Sequence, residues 1–306
     1  MSKHLIVIAG PTGIGKTSAG INIARHFNTE IVSSDSRQLY KELKIGTAVP
    51  STEELSAVKH HFIHSHSIFD NYNASQYEKE AISLLRQLFK KHDIVLMVGG
   101  SMLYIDAVCR GIDQMPDADP ELRKNLKNQL ETEGLENLRR QLKKLDPKYY
   151  SEVDLKNPAR IVHALEISLM TGKPYSSFRS NPQKQRPFSI HKIALDCDRQ
   201  ELHRRINQRV DKMVATGLEE EARRYYNQKH LNALNTVGYR EFFAYFDGEI
   251  SKEKAIELIK RNSRRYARKQ LTWFRKDTAT NWFGSNQTDE IISFIENKTA
   301  ENEQPG

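Results

Sequence analysis

The chain has 306 residues, 38% of them hydrophobic and 28% charged, enough to build one large domain or two smaller ones around a real core, which excludes fibrous, low-complexity and mostly disordered classes. Its 47 Lys+Arg against 39 Asp+Glu leave a formal charge of +8, which points to an acidic partner, nucleic acid ahead of membrane. The two cysteines, Cys109 and Cys197, lie far apart with no C-x-x-C spacing, so a disulfide framework and a cysteine zinc site drop out and both thiols are expected to be buried.

Residues 5–9 form a continuous apolar run, rich in β-branched residues and without alternation, the pattern of a strand buried on both faces of a parallel sheet. It follows Met-Ser-Lys-His directly and is too short for a signal h-region followed by a cleavage site, and no stretch approaches 18 apolar residues. A cytoplasmic protein with no membrane partner is expected. A helix is predicted over 18–27, a short strand over 30–33, a helix over 75–91 with apolar residues at helical spacing, and a second buried strand over 94–98 closed by Gly99-Gly100. Strand, helix, strand in that rhythm predicts an α/β fold with a parallel sheet flanked by helices.

From residue 113 the texture changes. Asp119-Pro120, Asp146-Pro147 and Asn157-Pro158 each open a helical run, and the block 113–189 reads as an inserted all-helical domain. Residues 180–187 read as a polar linker, and strand character returns at 190–195. The rest reads as helices, ending in a polar tail over 285–306 that is expected to fray. The domain scheme is therefore a core of 1–112 and 190–284, a helical insertion of 113–189, and the tail.

The strongest local signal is Gly10-Pro11-Thr12-Gly13-Ile14-Gly15-Lys16-Thr17, a full match to G-x-x-x-x-G-K-[ST] between a buried strand and a helix. Backbone N–H groups of such a P-loop wrap a diphosphate, the lysine adds a point charge, and the Thr17 hydroxyl is a ligand for Mg²⁺. P-loop NTPases also carry an acid at the end of a second hydrophobic strand. Here the strand 94–98 ends in Gly99-Gly100-Ser101 with no acid, and the well-placed carboxylate is Asp35, in Ser33-Ser34-Asp35-Ser36-Arg37-Gln38-Leu39-Tyr40. An Asp there is a helix cap or a catalyst, and pattern alone does not choose.

The loop at 10–17, the run Ser33 to Tyr40, Ile45-Gly46-Thr47-Ala48, His60-His61, Gly99-Gly100-Ser101-Met102-Leu103-Tyr104, Val237-Gly238-Tyr239-Arg240-Glu241 and Arg268-Lys269-Gln270-x-Thr272-Trp273-Phe274-Arg275 occur in order. Together they resemble the tRNA dimethylallyltransferase family, from the N-terminus to about residue 283.

The resemblance implies transfer of a dimethylallyl group from dimethylallyl diphosphate to the N6 amine of the adenine beside the tRNA anticodon. It assigns the proton-accepting base to Asp35, a hydroxyl on the diphosphate to Ser101, and charge on the leaving group to Lys16, the loop, Mg²⁺ at Thr17, and Arg205 or Arg209. It places Asp35, Ser36, Arg37 and Gln38 on the flipped base, counts Ser101 among the tRNA-binding residues, and sets Arg123 with Ala159, Arg160, Ile161, Val162 and His163 on the anticodon stem-loop. Ser101 stands where the family commonly has Thr, His163 where it has Arg, His64 where it has Asp, and Val49 where Lys is frequent.

Eight basic residues and no acid lie between Lys260 and Lys276, interleaved with Tyr266, Trp273 and Phe274. Beside this resemblance the run is expected to face tRNA, with Arg264 and Arg268 as its representatives. The histidines at 60, 61, 64 and 66 have no accompanying Cys and are expected to be structural or to line a channel rather than hold zinc. A monomer is expected. The competing readings are a P-loop nucleotide kinase or NTPase with ATP in the cradle, and a non-catalytic RNA-binding module.

Overall fold

The structure is a computed structural model that describes residues 2–113, 115–116, 119–179 and 183–301. Six strands form one sheet: β1 (His4–Ala9), β2 (Ile31–Ser33), β3 (His60–His61), β4 (Ile94–Val98), β5 (Ser189–Asp196) and β6 (Thr280–Gly284), in the order β3-β2-β4-β1-β5-β6 with every pairing parallel. The first helices are α1 (Lys16–His26), α2 (Thr52–Ala57), α3 (Ala74–Leu88) and α4 (Met102–Arg110). They are followed by α5 (Pro120–Thr132), α6 (Gly134–Leu145), α7 (Pro147–Glu152) and α8 (Pro158–Thr171), then α9 (Arg199–Ala215), α10 (Leu218–Arg224), α11 (Tyr239–Phe246), α12 (Lys252–Phe274) and α13 (Thr288–Glu301). This is the expected α/β class with a parallel, helix-flanked sheet.

Two compact units share the chain, one of residues 1–109 with 185–306 and one of residues 110–184. The expected boundaries, 113 and 189, fall three to five residues later, because β5 starts at Ser189 only after a segment that already belongs to the first unit. Of the linker expected over 180–187, residues 180–182 lie outside the described residues. In the second unit, α5 to α8 close around Leu126, Leu138, Leu142, Ile161 and Leu165, with Asp119, Asp146 and Asn157 accepting backbone N–H bonds at the helix starts as their positions before proline predict.

In the first unit β1 is buried along its whole length, which is why its residues show no alternation. Its side chains meet those of α1, β4, β5 and α9, among them Ile6, Ile8, Ile23, Leu96, Leu195 and Ile206.

Two elements depart from expectation. Of the tail expected to fray over 285–306, residues 302–306 lie outside the described residues, and residues 288–301 instead form α13, which buries Ile291 and Ile295 in the same core. Residues 280–284, expected to be part of a helical remainder, instead make the edge strand β6 beside β5; as an edge it is only partly buried and shows no apolar run.

Candidate active site

Parallel strands deliver their carboxyl ends to one edge of the sheet, and ligands of such folds bind there. Ile8 and Val98 are register partners, as are Ser33 and Val98, so the loop after β1, the turn after β2 and the turn after β4 begin side by side. Two strand spacings, about 10 Å, separate β2 from β1.

The loop at 10–17 runs from β1 into α1, with Gly15 as the helix N-cap at φ 104° and Gly13 at φ 81°, conformations that L side chains rarely adopt. Thr12, Gly13, Gly15, Lys16 and Thr17 line a cleft of about 630 Å³, whereas Gly10, Pro11 and Ile14 are buried behind them. Lys16 Nζ donates to the carbonyls of Gly10 and Pro11 at 3.0 and 2.8 Å. Burial lowers its pKa to about 8, against an opposing pull from Asp35 and a further lowering by Arg209. Arg209 donates from Nη1 to Thr12 Oγ1 at 3.1 Å and also lines the cleft; burial lowers its pKa and Asp35 again opposes. Arg205 instead reaches the Ile14 carbonyl, Ser285 Oγ and Glu201, so of the two arginines weighed from sequence Arg209 is the one in the cleft.

Asp35, Ser36, Arg37 and Gln38 line the same cleft. Asp35 Oδ1 accepts the backbone N–H groups of Arg37 and Gln38 at 2.9 and 3.3 Å, so this carboxylate caps a turn and also faces Lys16 and Arg209. The capping reading weighed from the sequence is met in altered form, since residues 36–39 make a hydrogen-bonded turn and not the start of a helix. Gln38 Nε2 donates to the carbonyls of Thr47 and Ala48, and Arg37 Nη1 to those of Asn232 and Ala233. The Ser101 hydroxyl accepts Ser36 N–H at 2.8 Å and donates to Ser36 Oγ at 3.0 Å; it braces the Asp35 turn and is not among the cleft-lining residues.

The end of β4 has no space for a side chain. A Cβ on Gly99 would lie 2.3 Å from Ser34 Oγ and 2.5 Å from the Ser34 backbone, and one on Gly100 would lie 2.3 Å from Gln270 Nε2. At Gly99, where the clash is with backbone, the absence of an acid is therefore a packing requirement as well as a sequence fact.

A model of the IPP transferase family matches residues 38–277. The tRNA dimethylallyltransferase 1 of Bacteroides fragilis is 55% identical over 295 residues, 96% of this chain and 98% of its own length. The chain belongs to the IPP transferase family. The tRNA dimethylallyltransferase of Christiangramia forsetii, in the same family, is 52% identical and covers 97% of this chain and 99% of its own. The full-length tRNA isopentenylpyrophosphate transferase of Bacillus halodurans superposes with a TM-score of 0.73 at 34% identity, 98% of each chain being covered. At 24% identity and a TM-score of 0.80, covering 99% of this chain and 81% of the other, a eukaryotic dimethylallyltransferase acting on tRNA shares the fold. The family model begins at Gln38, so the glycine-rich loop and Asp35 come from the part of the chain that only the near-full-length relatives cover.

Several residues that the family resemblance placed on tRNA are spoken for within the protein. Arg123 donates through Nε and Nη2 to Glu166 Oε2 at 3.1 and 2.6 Å, and Glu166 is fully buried. The side chains of Ile161 and Val162 belong to the core of the helical unit and do not face solvent, which corrects their placement on the stem-loop. Ala159 and Arg160 are exposed, whereas His163, 3.6 Å from Glu166 and with its pKa lowered by burial, is half-buried. In the basic run, Lys260 pairs with Asp211, Arg264 donates to Asn207 Oδ1, and Arg275, itself exposed, pairs with Asp196; Arg261 is half-buried, and Arg265, Arg268, Lys269 and Lys276 are exposed. Arg264, half-buried, thus spends Nη1 on a bond between α12 and α9.

The histidines separate: His61 bonds Glu30 at 2.6 Å, His66 packs on Tyr72 with the ring planes tilted by 43°, and His60 bonds the Val58 carbonyl. Tyr266, read from the sequence only as an aromatic of the basic run, and Gln270, read only as part of a family motif, line the cleft from α12, and Glu221, which the sequence did not point to, lies beneath the loop at 44–48. Ile259, Ser263, Tyr266 and Gln270 line the cleft at spacings of four, three and four, a helical face that periodicity shows once the cleft is known.

Proposed function

We propose that this chain is a tRNA prenyltransferase that moves a dimethylallyl group from dimethylallyl diphosphate to the N6 amine of the adenine beside the anticodon. The observation that carries the reading is the meeting, in one cleft, of a glycine-rich phosphate-binding loop with Lys16 and Arg209 and of the Asp35 carboxylate, beside a β4 end that carries glycines where an NTPase has its acid. Identity of 55% over nearly the whole of a tRNA dimethylallyltransferase supports it.

In the reaction, N6 attacks C1 of the prenyl donor, the C1–O bond breaks and diphosphate leaves with the electron pair. The N6 proton goes to Asp35, a carboxylate already oriented by two backbone N–H groups. Lys16, Arg209 and the loop N–H groups stabilise the leaving diphosphate. Taking the adenine out of its stack costs roughly a few kcal/mol, which tRNA contacts elsewhere must offset.

Mg²⁺ fits the donor set, because Thr17 and Asp35 offer oxygen only. Among the described residues no group of three His, Cys, Asp or Glu could hold a metal, so the ion would share its coordination with the diphosphate, whose charge it would neutralise. Exposed Arg265, Arg268 and Lys269 supply cationic surface for the tRNA backbone. No helix among the described residues is long and apolar enough to cross a membrane.

The test is direct. Unmodified tRNA, Mg²⁺ and labelled dimethylallyl diphosphate should give labelled tRNA, and the same mixture with labelled ATP should give neither phosphate transfer nor hydrolysis that depends on tRNA. Turnover of ATP alone would replace this reading with that of a P-loop kinase or NTPase.

A further inference from the structure

Gln270 belongs to the motif Arg268 to Arg275, and neither that motif nor its spacing assigns it a role at the diphosphate site. It is 2% exposed, on α12, and its carboxamide spans two segments: Oε1 accepts the backbone N–H of Thr12 at 2.9 Å, and Nε2 donates to the Gly100 carbonyl at 2.8 Å. Buried Ala267 and Phe274, three residues before and four after, fix the helix on either side of it. A Cβ at position 100 would lie 2.3 Å from this amide, 3.3 Å from the Gly10 carbonyl and 3.5 Å from Lys16 Nζ. The space beside Gly100 and Lys16 is therefore filled by a neutral side chain from 170 residues further along the chain.

We propose that Gln270 is a positioning residue that locks the loop of residues 10–17 to the end of β4 and, by being neutral, keeps a charged metal ligand out of that position. The proposal rests on the prenyl-diphosphate reading of the loop. The amide does two things no other side chain of its size does together. Its acceptor end takes up Thr12 N–H, so that the loop presents a fixed set of donors rather than a choice of conformations. Its donor end satisfies Gly100 O, a carbonyl that a carboxylate would repel. A negative charge there would also attract Lys16, which lies close to the same point, and draw it away from the phosphate.

The test uses the full-length chain, with inorganic diphosphate as the calorimetric probe, with and without Mg²⁺, and unmodified tRNA as the control ligand. Q270M keeps the volume and removes both hydrogen bonds, and should weaken diphosphate binding about tenfold while tRNA affinity stays within about twofold, the difference expected for one lost fixed donor array. Q270E should weaken diphosphate further in the absence of Mg²⁺ and recover part of the loss on its addition, a dependence larger than that of the wild-type chain. Should Q270M fail to fold, Q270N, which keeps the amide one methylene short, takes its place with the same expected loss. A merely structural residue would lower the melting temperature and leave diphosphate affinity unchanged at 25 °C, and that result overturns the inference. So does a Q270E chain that binds diphosphate as the wild type does. Failure of the wild-type chain to prenylate tRNA would instead overturn the reading beneath it, and the inference with it.

Discussion

The Glu221 carboxylate accepts the Tyr239 hydroxyl at 2.6 Å, and the same group accepts the backbone N–H groups of Lys44, Ile45 and Gly46 at 2.8, 3.0 and 2.9 Å. Gly46 has no choice of residue, since a Cβ there would lie 2.6 Å from the Tyr239 ring. The loop so held continues into Thr47, Ala48, Val49 and Pro50, which line the cleft, and receives the Gln38 amide. Tyr239→Phe should cost about 1–2 kcal/mol of stability, the loss of one bond to a charged acceptor. Glu221→Ala leaves three N–H groups without a partner and should cost more. Gly46→Ala should destabilise the wild-type chain but far less in a Tyr239→Ala background, which a double-mutant cycle in thermal denaturation measures.

Asp35→Asn keeps an oxygen at Oδ1 for the Arg37 and Gln38 N–H groups, so the turn survives while the proton acceptor is lost. Transfer to tRNA should fall by about 10²–10⁴-fold with tRNA affinity nearly unchanged. Single-turnover transfer beside equilibrium tRNA binding checks both halves, and normal turnover would remove Asp35 from the chemistry.

Lys16 titrates near pH 8 because burial disfavours its charged form. Below that pH it is protonated and attracts diphosphate; above it the charge is lost. Diphosphate affinity should therefore decline from pH 8 upward, by at most about tenfold per pH unit, and bound diphosphate should pull the pKa back up with proton uptake. Calorimetry in buffers of different ionisation enthalpy measures the uptake. Lys16→Met should bind weakly and with a flat profile over the same range.

On α12, Arg265 and Arg268 are exposed while Arg264 is bonded to Asn207. Neutralising Arg265 or Arg268 should weaken tRNA binding at low salt and reduce the slope of log affinity against log salt by about one per contact. Arg264→Gln should act on stability instead, through its bond to α9, with the salt slope unmoved.

The order of β1, the glycine-rich loop, α1, the Asp35 turn and β4 was legible in the sequence because each is encoded locally. A strand buried on both faces must be continuously apolar, and a loop that curls around a phosphate needs glycine at positive φ. The edge strands were not legible: β3 has two residues and β6 is half-polar, and neither has a pattern of its own apart from the neighbour it pairs with. The partners of the charged residues were hidden as well. Arg123 was readable as a cation but not as one neutralised by buried Glu166, 43 positions away. Ile161 and Val162 lay in a motif whose helix turns them inward.

What the sequence by itself determined is the chemistry: a cradle, a carboxylate, and a cationic C-terminal stretch. What the tertiary structure decided is which of these groups meet. Thr12 and Gln270, 258 residues apart, are joined at 2.9 Å, and Glu221 closes on a loop some 176 positions before it. Local periodicity sets where a side chain points on its own element, but contact over such separations depends on how whole elements pack, and no local pattern contains it.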